Sequence, residues 1–271
     1  MKKNNEIKFS IIMATYNRAF CIQNAINSIL KQTTQNFELI IIDDGSTDET
    51  EQLINELYKR QLISEQIRYF KNKKNKGAST SRNIGLSKAK YDWIGYLDTD
   101  NTITTDFIET FTNYIKNNPT NNIFYCKEIS ESEDKKQVIG HEFDFKELCT
   151  ANYIDLGCFV HNKNCIKKYG KFNTKINRLI DWELIIRYTY NEKPIFIDKI
   201  LLEYNNKNTH RRITNCENIQ KAVKQINKTI LNLNCSFIDR IFSVKTSIFG
   251  NYKIFRFLGF TIKTKNKSKN N

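Results

Sequence analysis

The chain has 271 residues, of which 39% are apolar and 12% aromatic, a composition that supports one good-sized core and excludes a disordered chain. Its formal net charge of +14 is lopsided: residues 207–271 hold 14 Lys/Arg against 2 Asp/Glu, and the first 206 hold 29 against 27. The seven cysteines form no CxxC pair and read as reduced thiols, and three histidines are too few for a histidine-rich metal site.

Phe9 to Ala14 (FSIIMA) is an unbroken apolar run that stops at polar residues, the pattern of a strand buried on both faces. Ile22, Ala25, Ile26, Ile29 and Leu30 follow at helical spacing, and Leu39 to Ile42 forms a second strand that ends in Asp43, Asp44 and Gly45. Ser46 and Glu49 predict a capping box for the helix striped by Leu53, Ile54, Leu57 and Tyr58. A third strand, Ile67 to Phe70, leads into the basic loop KNKKNKG, in which Lys71, Lys73 and Lys74 read as solvated. Ala78 to Lys88 reads as a helix, Trp93 to Leu97 as a fourth strand ending at Asp98, and Phe107 to Ile115 as another helix.

The alternation predicts an α/β sheet wound by right-handed crossovers, with ligands bound beyond the carboxyl ends of its strands. Beyond residue 120 the pattern weakens. Strands are expected at Ile123 to Lys127 and Ile195 to Ile197, with helices at Asp181 to Tyr190 and Glu217 to Leu233. No apolar run reaches the length of a signal peptide or a membrane span, which predicts a cytoplasmic chain.

Polar clusters close three of the strands: TYN, DDGS and DTD. In YLDTDN, Asp98 and Asp100 are two carboxylates separated by one residue, and a bend that turns both inward suits a divalent cation bridging to a diphosphate. Arg82 lies on the helix after Lys76-Gly77, where its fork could reach phosphate or the DxD loop; the other reading is a surface arginine.

Taken together, IIMATYN, ELIIIDDGSTDET, KGASTSRNIG and WIGYLDTDN resemble glycosyltransferase family 2 in order, spacing and strand-end placement, over roughly residues 7 to 205. The resemblance implies a GT-A fold, with a donor half at about 7–120, an acceptor half at about 121–206 and a basic, helical, amphipathic extension at 207–271. It further implies a nucleotide-sugar donor, usually linked to uridine, held by Thr15, Tyr16, Asp44, Arg82 and Asp98. Mn²⁺ or Mg²⁺ would sit on Asp98 and Asp100, with His210 as a further contact or a plain loop histidine. Packing is the other reading of Tyr16, and Asp43 either forms the turn or binds.

The family's catalytic base lies in an acidic pair at a helix start, and the matching segment here is RLIDWELIIRY, with Asp181 as base and Ile180 where Glu is usual. A helix cap is the alternative for Asp181. Glu183 points elsewhere on the helix, and Trp182 lines the sugar pocket or packs in the core. The implied reaction is an inverting transfer.

Phe237 to Lys265 interleaves aromatic and aliphatic residues with Arg and Lys, as an interfacial anchor to anionic lipid does. It is similar to the tails of bacterial lipooligosaccharide and capsule enzymes, which implies a lipid-linked or oligosaccharide acceptor at the inner face of the cytoplasmic membrane. Two rival readings have less to rest on. DTDNT also fits a haloacid-dehalogenase-like phosphohydrolase, but no acidic partner loop follows. Nucleic-acid binding by the basic tail leaves the four strand-end motifs unexplained.

Overall fold

The computed structural model describes residues 6–131, 136–205, 219–233, 243–246, 252–257 and 260–265. The first half alternates as its apolar periods require: β1 (Phe9–Thr15), α1 (Ile22–Leu30), β2 (Phe37–Asp43), α2 (Thr50–Leu57), α3 (Lys59–Ile63), β3 (Ile67–Lys71), α4 (Ala78–Lys88) and β4 (Trp93–Tyr96). β1 pairs in parallel with both β2 and β4, and β2 with β3. Helices on both faces leave β1 and β2 almost no solvent contact, which is why these runs are continuously apolar rather than alternating. α4 lies directly on β1, because a Cβ at Gly85 would come within 2.5 Å of Ile12 Cγ2.

The second half adds β5 (Thr102–Ile103), α5 (Phe107–Asn117), β6 (Ile123–Glu131), β7 (Lys136–Ile139), α6 (Phe145–Leu148), a 3-10 turn (Leu156–Cys158), β8 (Phe159–Asn162), α7 (Lys163–Tyr169), α8 (Ile180–Thr189) and β9 (Ile195–Asn205). The sheet runs β3-β2-β1-β4-β8-β6-β9-β5, with β7 beside β6. β8 is antiparallel to β4 and β6, and β5 to β9; β6 and β9 are parallel. α8 is buried on nearly every side, so it carries no polar stripe.

α9 (Ile219–Asn232) packs on α8 through Ala222, Ile226 and Ile230. The sequence reading assigns this helix to an appended extension; in the structure it belongs to the packed body, because its apolar face needs α8 to cover it. Three antiparallel strands, β10 (Ser243–Thr246), β11 (Tyr252–Phe257) and β12 (Phe260–Lys265), lie where the sequence suggests only an amphipathic tail.

The predicted capping box does not form. Ser46 Oγ instead accepts from Asn17 N at 2.9 Å, and α2 begins four residues later, where Asp48 accepts from Thr50 N and Oγ1. A contact between two loops takes the hydroxyl that local pattern assigns to the helix.

Candidate active site

The register aligns Thr15 with Asp43 and Asp43 with Lys71, so three strand-end loops leave the sheet side by side. They lock together through short polar contacts. Asn17, at φ 53°, accepts from Thr47 N at 2.8 Å, and Ala19 N donates to Asp48 at 3.1 Å. Asp43 is fully buried and accepts from Ser46 N at 2.7 Å and Tyr69 OH at 2.5 Å, which makes it the turn-forming acid. Its neighbour Asp44 lines the cavity and accepts from Asn72 Nδ2, Lys76 N and Gly77 N. The basic loop is thereby folded onto the strand ends, and Gly45, at φ 84°, makes room for it: a Cβ there would lie 2.9 Å from Lys74 C. Lys73 and Lys74 are exposed.

Gly77, at φ 88°, starts α4, whose first turn carries no acidic side chain and opens into the cavity behind Lys76. The uncompensated helix N-terminus favours an anion there. Further along the helix, the buried Arg82 donates from Nη2 to Asp98 Oδ1 at 2.7 Å and lies 5.7 Å from the Phe172 ring. It is therefore not a surface arginine. Asp98 follows β4, and Asn101 N bonds back to Asp98 O at 3.2 Å, closing the bend that brings both Asp98 and Asp100 to the cavity wall.

The segment from Thr174 to Asp181 also lines the cavity. Asn83 fastens it to α4 through two bonds of 2.9 Å with the Phe172 backbone, and Ser79 Oγ reaches Ile176 O at 3.4 Å. Leu179, at φ 55°, takes the left-handed conformation immediately before α8, a strained choice for a bulky residue. It, and not Asp181, is the helix cap. Asp181 stands in the first turn, lines the cavity, and accepts from Asn152 Nδ2 at 3.2 Å. Burial raises its proton affinity above the usual carboxylate range, with Asp98 adding to the rise and Arg82 opposing it.

The residues around Asp181 do other work. Glu183 is buried in a two-pronged pair with Arg187, at 2.8 and 2.9 Å, and also accepts from Thr229 Oγ1 on α9 at 3.2 Å. Trp182 is core, its Nε1 donating to Leu148 O at 2.7 Å.

One cavity of about 1010 Å³ therefore gathers Thr15, Tyr16, Asp44, Arg82, Asp98, Asp100 and Asp181. Tyr16 is 44% exposed, so simple packing does not describe it; Thr15 is buried, and its Oγ1 has no partner among the described residues. His210 lies outside the described residues. Among the described residues no three His, Cys, Asp or Glu are placed to hold a metal by themselves. Two hard carboxylates on a cavity wall do fit a cation that takes its other ligands from phosphate and water. Asn152 and Asp155 also belong to the site or its support, and no local motif points to them; Lys76, which opens KGASTSRNIG, lines the cavity too.

The model of the Glycosyl transferase family 2 matches residues 10–194. An uncharacterized glycosyltransferase of Haemophilus influenzae is 32% identical over 162 residues, covering 58% of this chain and 63% of that protein, a little under two thirds of its length. A second uncharacterized glycosyltransferase of the same organism is 28% identical over 250 residues, covering 84% and 82%. Among solved structures, S. aureus TarS 1–349 in complex with UDP-GlcNAc matches with a TM-score of 0.70 at 17% identity, covering 85% of this chain and 68% of that one, a likeness of fold.

Proposed function

The chain belongs to glycosyl transferase family 2 and is a glycosyltransferase of GT-A fold, and from that premise we propose that it moves a sugar from a UDP-sugar to an acceptor glycan, with inversion and with a divalent cation. Membership accounts for the four strand-end motifs and leaves no need for a phosphohydrolase reading of DTDNT. The observation that carries the proposal is the cavity that Arg82, Asp98, Asp100 and Asp181 line together.

In this reading Tyr16 offers its ring to the base. Asp44 stands beside it, its carboxylate held by Asn72 Nδ2, Gly77 N and the Lys76 N–H shared between both oxygens, and would accept from the uracil imide in place of that shared donor. Asp98 and Asp100 would hold Mn²⁺ or Mg²⁺ against the diphosphate; when bound, the cation offsets the charge that builds on the leaving nucleotide. Arg82 fixes Asp98 from behind, and the open end of α4 adds a favourable field for the phosphates.

Asp181 acts on the acceptor. The attacking hydroxyl oxygen bonds to the anomeric carbon as the bond to the diphosphate oxygen breaks, and the hydroxyl proton passes to Asp181. Asn152 Nδ2, bonded to Oδ2, holds the carboxylate in place for that transfer. A single displacement inverts the anomeric centre.

A UDP-GlcNAc complex of a structural neighbour supports a UDP-linked donor. No helix among the described residues is long and apolar enough to cross a membrane. The excess of 14 Lys/Arg over 2 Asp/Glu after residue 206 supports peripheral attachment to anionic lipid at the inner face of the cytoplasmic membrane. The acceptor that suits such a location is a lipooligosaccharide, lipopolysaccharide or capsule glycan.

A panel of nucleotide sugars, assayed by nucleotide release with manganese or with EDTA, tests the reading. Release from a UDP-sugar that disappears in EDTA supports it, and undiminished release in EDTA counts against it.

A further inference from the structure

A third carboxyl, Asp155, lines the cavity together with Asp98 and Asp181. It caps the 3-10 turn Leu156–Cys158, where its Oδ1 accepts from Gly157 N at 2.7 Å. That turn packs on β4, β6 and β9, so the residue is seated on the sheet itself. The seat is close-fitting: a Cβ at Gly157 would lie 3.0 Å from Leu202 Cδ1. Among the described residues no donor meets the other oxygen, Oδ2, and no Lys or Arg pairs with the group.

Beyond that cap, the surroundings oppose an ionised Asp155. Burial pushes it well above the usual carboxylate range, and the charges of Glu128, Asp98 and Asp181 push it further. Glu128 is itself 7% exposed, with a buried Oε2 that has no partner, and it follows a register irregularity of β6 at Lys127. Bulges of that kind re-aim side chains beside active sites. Two acids held in place without a cation destabilise a fold, and a cleft is where such groups serve a ligand.

We propose that Asp155 contacts the sugar being transferred, with its Oδ2 bonded to a ring hydroxyl of the donor. The inference rests on the proposed function, and its geometry follows from it. The diphosphate sits at Asp98 and the acceptor hydroxyl at Asp181, so the sugar whose anomeric carbon is attacked occupies the space these groups share with Asp155. A carboxyl oxygen on a rigid turn recognises a hydroxyl at one position of a pyranose ring and disfavours donors that lack it.

Calorimetric titration of the full chain, with Mn²⁺ present, separates sugar contacts from nucleotide contacts. The probes are UDP and whichever of UDP-glucose, UDP-galactose and UDP-N-acetylglucosamine the wild type binds tightest. Asp155→Ser keeps a cap for Gly157 N and withdraws Oδ2; Asp155→Asn keeps a polar atom at both ends. UDP affinity is expected to stay within about twofold in both variants. Affinity for the UDP-sugar is expected to fall at least tenfold in Asp155→Ser and less in Asp155→Asn. Unchanged UDP-sugar affinity in Asp155→Ser overturns the inference, as does an equal loss for UDP, which makes the residue a support of the cavity. A wild type that binds the three sugars no tighter than UDP overturns it as well. A wild type that binds none of the four probes contradicts the nucleotide-sugar site itself, and so marks failure of the underlying reading.

Discussion

Arg82 Nη2 lies 2.7 Å from Asp98 Oδ1, a contact that ties a buried cation on α4 to the first carboxylate of the DTD loop. The pair spends one oxygen of Asp98 on orientation, while the residue lines the cavity. A lysine reaches the same space with a point charge and no fork. Arg82→Lys is therefore expected to lower turnover by about tenfold or more while the chain stays folded, measured by nucleotide release beside a thermal melt. Wild-type turnover in this variant would show that the pair does not set the Asp98 geometry.

The proposed metal dependence turns on the second carboxylate. Asp100→Ala is expected to lose activity that added Mn²⁺ does not restore at concentrations saturating for the wild type. The same variant should lose the manganese-dependent part of its UDP affinity. Retention of that part places the cation elsewhere.

Asn152 and Asp181 give a pH prediction. A donor bonded to the ionised carboxylate lowers its proton affinity, so deleting the donor raises it. Asp181 already sits above its ordinary value through burial. In its proposed role as base Asp181 works ionised, so activity rises with pH through its titration. Asn152→Ala is expected to move the acid limb of the kcat/KM profile to higher pH, read from initial rates between pH 4 and 8. A limb that moves to lower pH, or not at all, assigns the limb to another group.

Two buried groups pull stability in opposite directions with pH. Glu128 is pushed up from 4.5 to about 7, first by burial and then by the charge of Asp181. The folded state then holds a proton the unfolded chain has released, so stability falls as pH rises from about 4.5 to 7. His161 is pushed down from 6.5 to about 4 by burial, so stability falls as pH drops from about 6.5 to 4. Each is worth about 3 kcal/mol, and over the shared window they offset one another. Glu128→Gln is expected to raise the melting temperature by several degrees at pH 8, with little change at pH 4.5. An equal gain at both values would assign the effect to packing.

The tail prediction concerns lipid. Each basic residue near an anionic surface contributes roughly 1 kcal/mol. Truncation after Leu233 keeps α9 on α8 and is expected to release the chain from anionic vesicles while preserving transfer to a small soluble acceptor. Co-sedimentation of the truncated form at the level of the intact chain would rule out the tail as the anchor.

The donor half was legible because its signals are local. Asp98 and Asp100 end a buried apolar run, and Arg82 stands one helix earlier, so the strand-end rule brings them together. Asp43 and Asp44 are adjacent letters of one motif, yet one is a buried turn acid and the other grips a loop thirty residues on; only the folded contacts divide them. Asn152 reaches Asp181 across 29 residues, and Asp155 sits on a turn without regular period. Neither carries a local signature. The basic composition after residue 206 obscured the apolar face by which α9 joins the catalytic body, and the predicted capping box lost Ser46 to Asn17.

The proposed division of labour between Asp98 and Asp100 on the donor and Asp181 on the acceptor is tested most directly by Asp181→Asn. The substitution keeps the shape of the side chain and removes its capacity to take a proton. Affinity for the UDP-sugar, titrated with manganese present, is expected to stay within about twofold of the wild type while transfer falls by roughly a hundredfold or more. A parallel loss of donor affinity and transfer would make Asp181 a structural support of the donor site and contradict its assignment as the base.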